Sequence, residues 1–300
     1  SGIGDAIPTV LTMTVVPILG AGSSMADYRI GFKWWALIIA VVFVISELVC
    51  VACVPERPVA CDEKPGKISD MFKALFKNDQ AMTVVVSIIL VYTSLNICGN
   101  LVLYFFRFDV GNEGAYSIFA AVAFAAQVLV MMVIPLLRKR FSKSQLFISG
   151  FIIQISGFAV ILIMAFAKLY TPQSWYILCL PGILIYLGYG MLNVIMTIFL
   201  SDSVDYGEVM NGTREESVIF SMQTFTVKLA SGVAVFLAGL VVDWIHLDTA
   251  AAVQTQDTLD ALRMWMTIPS VILLIVGIFV FKRFYKLDDA RMEEIKSKLN

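Results

Sequence analysis

Six stretches of this chain run for 18 to 33 residues without one charged side chain. They lie between Asp5 and Asp27, Asp79 and Arg107, Glu113 and Arg138, and Lys143 and Lys168, and then over Leu169–Ser201 and Met264–Phe281. A helix crossing a bilayer needs about 20 mainly apolar residues, and its backbone groups must be satisfied within the helix. Two further stretches qualify if each buries one charge: Trp34–Val54 with Glu47, and Ser217–Ile245 with Lys228. Eight spans are therefore expected. Barrel strands would alternate apolar and polar residues, and Val84-Val85-Val86-Ser87-Ile88-Ile89-Leu90 does not. The reading is an all-α membrane protein. With 15% charged residues where soluble domains average about 25%, a water-facing enzyme is excluded as a first reading. The net charge of −1 argues against nucleic-acid partners, which call for a basic excess. Five scattered cysteines make no disulfide scaffold, and the Cys50-x-x-Cys53 pair reads as ordinary packing in an apolar run.

Lys and Arg concentrate in the loops facing the cytoplasm. Of the 22 in this chain, sixteen fall in the connections after the second, fourth and sixth spans and in the C-terminal tail. Five fall on the other side, and Lys228 lies within the membrane. Both ends of the chain are thus expected in the cytoplasm, and the bilayer is expected to be the plasma membrane. Residues 1–54 hold two spans, 55–79 a connection and 80–287 six spans, with 288–300 as a tail. The connection carries Ile68, Met71, Phe72, Leu75 and Phe76 at helical spacing, the pattern of an amphipathic helix on the membrane surface. Ser1 stands where Met would begin a chain, and two spans followed by six is the pattern expected if four more precede them.

Polar groups in lipid are costly, so their positions point to function. Lys228 lies about 18 Å into its helix at 1.5 Å per residue, too deep to snorkel easily. An insertion cost of about 2.5–3.5 kcal/mol must be offset by an acidic partner, a water-filled cavity or a polar ligand. Ser221, Thr224, Lys228 and Ser231 share one helical stripe, with Gln223 beside it. Tyr92, Asn96 and Asn100 form a second stripe, and Tyr186, Gly190, Asn193 and Thr197 a third. Three such stripes suggest a shared aqueous cavity whose amides, hydroxyls and aromatic faces suit a hydroxyl-rich solute. Pro181, Gly182, Gly188 and Gly190 are expected to loosen the third helix. Asp202, Asp205 and Glu208 close one helix and Arg214 precedes the next, so opposite charges there can latch two helix ends together. No phosphate-cradling loop and no nucleophile paired with a base is present, so no enzyme is expected.

The run Asp202-Ser-Val-Asp205-Tyr206-Gly207-Glu208, then Gly212-x-Arg214-x-Glu216, then Ser221-x-Gln223-x-Phe225-x-x-Lys228-x-x-Ser231, closely resembles the glycoside–pentoside–hexuronide:cation symporters. These are the melibiose-permease-like branch of the major facilitator superfamily. Val54-Pro55-Glu56-Arg57, the Asp70–Asn78 stretch, Pro135–Phe141 and Phe284-Tyr285-Lys286-Leu287 extend the resemblance over the whole chain. It implies helices V to XII of a twelve-helix bundle, eight of twelve being present. It implies a sugar or glycoside as substrate and a monovalent cation, Na⁺ or H⁺, as coupling ion, with no other cofactor. It places Lys228 near the sugar and cation sites with Gln223 and Thr224 beside them, and Asp202, Asp205 and Arg214 in an inner gate. The main cation-binding acids of the family lie on helices II and IV, upstream of this chain. Galactoside-type members carry a Trp where Asn193 stands here, a departure that leaves the sugar unspecified. Two rival readings stand beside it: a carrier of another anionic or amphiphilic solute, and a non-transporting sensor on the same scaffold.

Overall fold

The computed structural model describes residues 11–12, 15–21, 25–53, 75–212, 216–249, 251 and 253–299. Among them, seven helices are long and apolar enough to cross a membrane. The span expected between Asp5 and Asp27 lies largely outside the described residues, although 15–20 are helical. Most of the connection at 55–79 also lies outside them; Leu75–Lys77 form a helical turn with Leu75 buried and Phe76 exposed.

The chain divides into two compact units, Ser1–Gly66 and Lys67–Asn300. In the first, α1 (Met25–Cys53) begins well before the expected Trp34, so Asp27, Arg29 and Lys33 are helical rather than in a loop. Nothing from Tyr28 to Trp34 breaks a helix except Gly31, and Gly31 is where residues 15–20 approach. A Cβ there would stand 2.1 Å from the Val16 carbonyl oxygen. The Trp35 indole donates to Thr12 Oγ1 at 2.8 Å across the same contact. Cys50, Cys53 and Glu47 are exposed on α1 rather than packed.

The second unit contains α2 (Asp79–Tyr104), which continues as a π-helix over Phe105–Val110 and stops at Gly111 with φ 74°. After it come α3 (Ala115–Leu137), α4 (Lys143–Phe166), a short 3₁₀ turn (Trp175–Leu178), α5 (Cys179–Asn211), α6 (Glu216–Trp244), α7 (Gln256–Phe284) and α8 (Asp289–Leu299). Asn78 caps α2 by accepting from the Ala81 amide, and Ser142 and Gln145 form a reciprocal capping box on α4. α2 packs against α6 and α7, and α5 against α3 and α4. Phe147, Phe199, Phe281 and Tyr285 join α4, α5 and α7 in one aromatic cluster, with the Phe147 and Phe281 rings 4.4 Å apart.

The glycines of α5 act differently from the expectation. α5 is a single helix from Cys179 to Asn211, and its glycines lie where neighbours come close. A Cβ at Gly188 would be 2.6 Å from the Gly150 carbonyl oxygen, and one at Gly157 2.7 Å from the Ile185 amide nitrogen. Small residues allow helix backbones to meet in lipid, where dispersion contacts replace the hydrophobic effect as the driving force.

Candidate functional site

Two of the three polar stripes meet. The Asn193 amide of α5 donates to the Tyr92 hydroxyl of α2 at 2.5 Å, and the Tyr92 ring stands edge-on to Tyr189 at 5.5 Å. One and two turns beyond this contact the asparagines of α2 turn back on their own helix. Asn96 donates to the Tyr92 carbonyl and Asn100 to the Asn96 carbonyl, each at 2.7 Å. Among the described residues their side-chain oxygens are left for another donor, the condition a hydroxyl-bearing solute requires.

The third stripe stands apart. Thr224 and Lys228 are exposed on α6, Gln223 and Ser231 are half-buried, and Ala234 and Ala238 are buried on the adjoining face. Thr224 Oγ1 donates to the Phe220 carbonyl at 3.3 Å. Lys228 has no hydrogen-bond or ion-pair partner among the described residues. The structure does not bond it to Tyr92, Asn96 or Asn193.

At the end of the unit where α2 and α6 begin, an ionic cluster surrounds the end of α5. Asp202 is paired with Lys143, at the start of α4, and both side chains are buried. Asp289 of α8 stands 3.6 Å from the same ammonium and 3.5 Å from Arg138. Asp205 and Glu208 lie on the last turns of α5, each with a polar contact, and Arg214 lies outside the described residues. Asn78 Nδ2 donates to the Ser203 carbonyl at 2.8 Å, tying the start of α2 to this cluster. Leu287, Met292 and Ile295 are buried beneath Tyr206, Val209 and Tyr285, so α8 is seated over the end of α5. Burial, with the carboxylates of Asp202 and Asp289 nearby, pushes the Tyr285 phenol above its ordinary range.

The opposite end holds a cluster that the sequence reading did not find. Arg263 of α7 grips Asp109 of the π-helix with two bonds, Nε to Oδ2 at 2.8 Å and Nη2 to Oδ1 at 2.5 Å. Both side chains are 3% exposed. Arg263 also reaches Asp260 at 2.7 Å, and the Tyr170 hydroxyl donates to Asp109 at 2.6 Å. Burial and the Asp109 carboxylate raise the Tyr170 phenol well above its ordinary range, so it stays a neutral donor. A signal was available: Arg263 borders a long charge-free run and Asp109 lies two residues beyond Arg107, which closes another, places where a charge left unpaired would be costly.

An all-helical bundle with membrane-length spans, a polar seam inside it and ionic clusters at both ends has the build of a membrane carrier. The family model described as MFS/sugar transport protein matches residues 2–289, and the chain belongs to that family. It is 24% identical to the raffinose carrier protein of Pediococcus pentosaceus over 100% of this chain and 46% of that one. It is 25% identical to the isoprimeverose transporter of Lactiplantibacillus pentosus, over 95% and 58% of the two chains. It is 22% identical to the putative glycoside/cation symporter YagG of Escherichia coli, over 96% and 60%. The chain thus spans about half to three-fifths of the length of the curated relatives it matches. These relatives are named as carriers, transporters and symporters, not as enzymes.

Proposed function

We propose that the protein is a cation-coupled sugar or glycoside symporter of the plasma membrane, working by alternating access and driven by Na⁺ or H⁺. Residues 1–54 close its N-terminal half, 55–79 cross the cytoplasmic face, and 80–287 form the C-terminal half, with 288–300 as a cytoplasmic tail. The observation that carries the reading is Lys228: a cation about 18 Å into an apolar helix, exposed and unpartnered among the described residues. An ammonium so placed needs a polar solute, water or an acid from the remainder of the protein facing it. The Tyr92–Asn193 contact, with Asn96 and Asn100, supplies donors and acceptors for hydroxyl groups, and Gln223 and Thr224 flank the lysine. Asp202, Asp205, Glu208 and Arg214 form the cytoplasmic gate, Asp202 acting through Lys143.

The test is Lys228→Ala in the full-length protein. Sugar accumulation in membrane vesicles is lost while the amount of protein in the membrane is unchanged. Normal accumulation by that variant would refute the assignment.

A further inference from the structure

Beyond the polar seam, toward the end that carries Asp109, α2 and α6 part around a cleft of about 550 Å³. Small-molecule sites range over about 300–1,000 Å³. The walls include Asn100 and Tyr104 of α2 and Val235, Phe236, Gly239 and Asp243 of α6. At 1.5 Å per residue, Asn100 lies about 12 Å along α2 from Tyr92, and Gly239 about 16 Å along α6 from Lys228. The cleft therefore lies away from Tyr92 and Lys228, and Asn100, the far end of the asparagine stripe of α2, joins it to the central groups.

Its chemistry is selective. The Tyr104 hydroxyl and the Asp243 carboxylate have no partner among the described residues, and the side-chain oxygen of Asn100 accepts no bond there. Among the described residues the only charge on the wall is negative, so it accepts hydroxyl hydrogens and repels phosphate or carboxylate. Tyr104 and Phe236 offer aromatic surface to the C–H face of a ring. Gly239 adds an independent point. Glycine weakens a helix interior, yet a Cβ at this position would meet nothing within 4 Å, so no neighbour among the described residues requires it. The missing side chain holds the cleft open.

We infer that this cleft is an entry site that captures a neutral sugar before it reaches the central seam. Asp243 and Asn100 accept its hydroxyl hydrogens, Tyr104 donates or accepts one bond, and Phe236 covers an apolar face. The inference rests on the sugar-transport reading above.

The test uses the full-length protein in liposomes with radiolabelled raffinose, isoprimeverose and lactose as probes. If the wild type moves none of the three, the transport reading and the entry site fail together. If it moves one, Asp243→Asn raises KM for entry from the cleft side about ten-fold, by weakening a charge-assisted hydrogen bond to a neutral one, and Gly239→Leu, which fills the cleft, raises it at least as much. Vmax, and KM from the other side, stay unchanged. An unchanged entry KM in both variants overturns the entry site and leaves the transport reading standing. Gly239→Cys gives a readout that does not depend on Asp243. The transported sugar slows its labelling by a membrane-impermeant maleimide, and still does so when Lys228→Ala disables the central site. Protection that vanishes with Lys228→Ala, or that added phospholipid gives and sugar does not, overturns the proposal.

Discussion

The buried pair at the end opposite α8 permits a quantitative test, because its two partners are not equally dependent on each other. Arg263→Met removes both bonds to Asp109 and leaves that carboxylate, 3% exposed, with only the neutral Tyr170 hydroxyl. Breaking a buried pair by removing one partner costs about 3–5 kcal/mol. Asp109→Asn is milder. Arg263 keeps its 2.7 Å contact with Asp260, whose side chain is 37% exposed, and the new amide still offers an oxygen to the guanidinium. About 1–3 kcal/mol is expected, the range for a buried hydrogen bond impaired on one side. The double variant removes both charges and should recover part of the Arg263→Met loss. Unfolding of the full-length protein in mixed micelles of rising dodecyl sulfate, followed by circular dichroism, measures all three. Additive losses, or a greater loss from Asp109→Asn than from Arg263→Met, would refute the account of a mutually dependent pair.

Three further outcomes follow from contacts described above. Gly188→Val drives a side chain into the backbone of α4 at Gly150 and Gln154, which cannot yield as a flexible side chain would. A loss of about 1–3 kcal/mol or more is expected, read as a fall in folded, monodisperse protein in gel filtration. Asp202→Asn leaves buried Lys143 with only Asp289 at 3.6 Å, loosening that end; a cysteine placed at Ser203 should then react faster with a water-soluble maleimide, and an unchanged rate would count against a gate there. Met292→Ser strips an apolar anchor of α8, about 2 kcal/mol of docking, so tryptic cleavage at Arg291 and Lys296 should accelerate roughly thirty-fold.

The spans were legible because lipid imposes a length and a polarity on each of them, and both can be counted in the residues. The stripes were legible for the same reason: Tyr92 and Asn193, singled out as polar groups at helical spacing, do meet. What could not be read was pairing at a distance. The structure pairs Asp202 with Lys143, fifty-nine places back, a partner no local spacing announces. That contact depends on how α4 leans on α5, and Gly150, Gly157 and Gly188 stand where the two helices come close. Those glycines fit a bending helix and a tightly packed one equally well, and only the neighbours decide between them. Asp109 and Arg263 are 154 residues apart and share no local motif. The tail reads as a polar segment because only Leu287, Met292 and Ile295 face inward.

The wide turn at Phe105–Val110 makes this segment unlike any other among the described residues for insertions and deletions. A π turn holds one residue more than the α-helix it interrupts, and that surplus sets the angular position of everything after it. Deleting one residue there would restore ordinary helical phase and swing Asp109 by about 100° around the axis, the angle of one residue at 3.6 per turn. The carboxylate would then leave Arg263 and Tyr170 without any change in composition. Relatives that keep the Asp109–Arg263 pair and Tyr170 should therefore keep the length of this stretch even where its side chains differ. A one-residue gap here would mark a carrier whose corresponding end is closed by some other means.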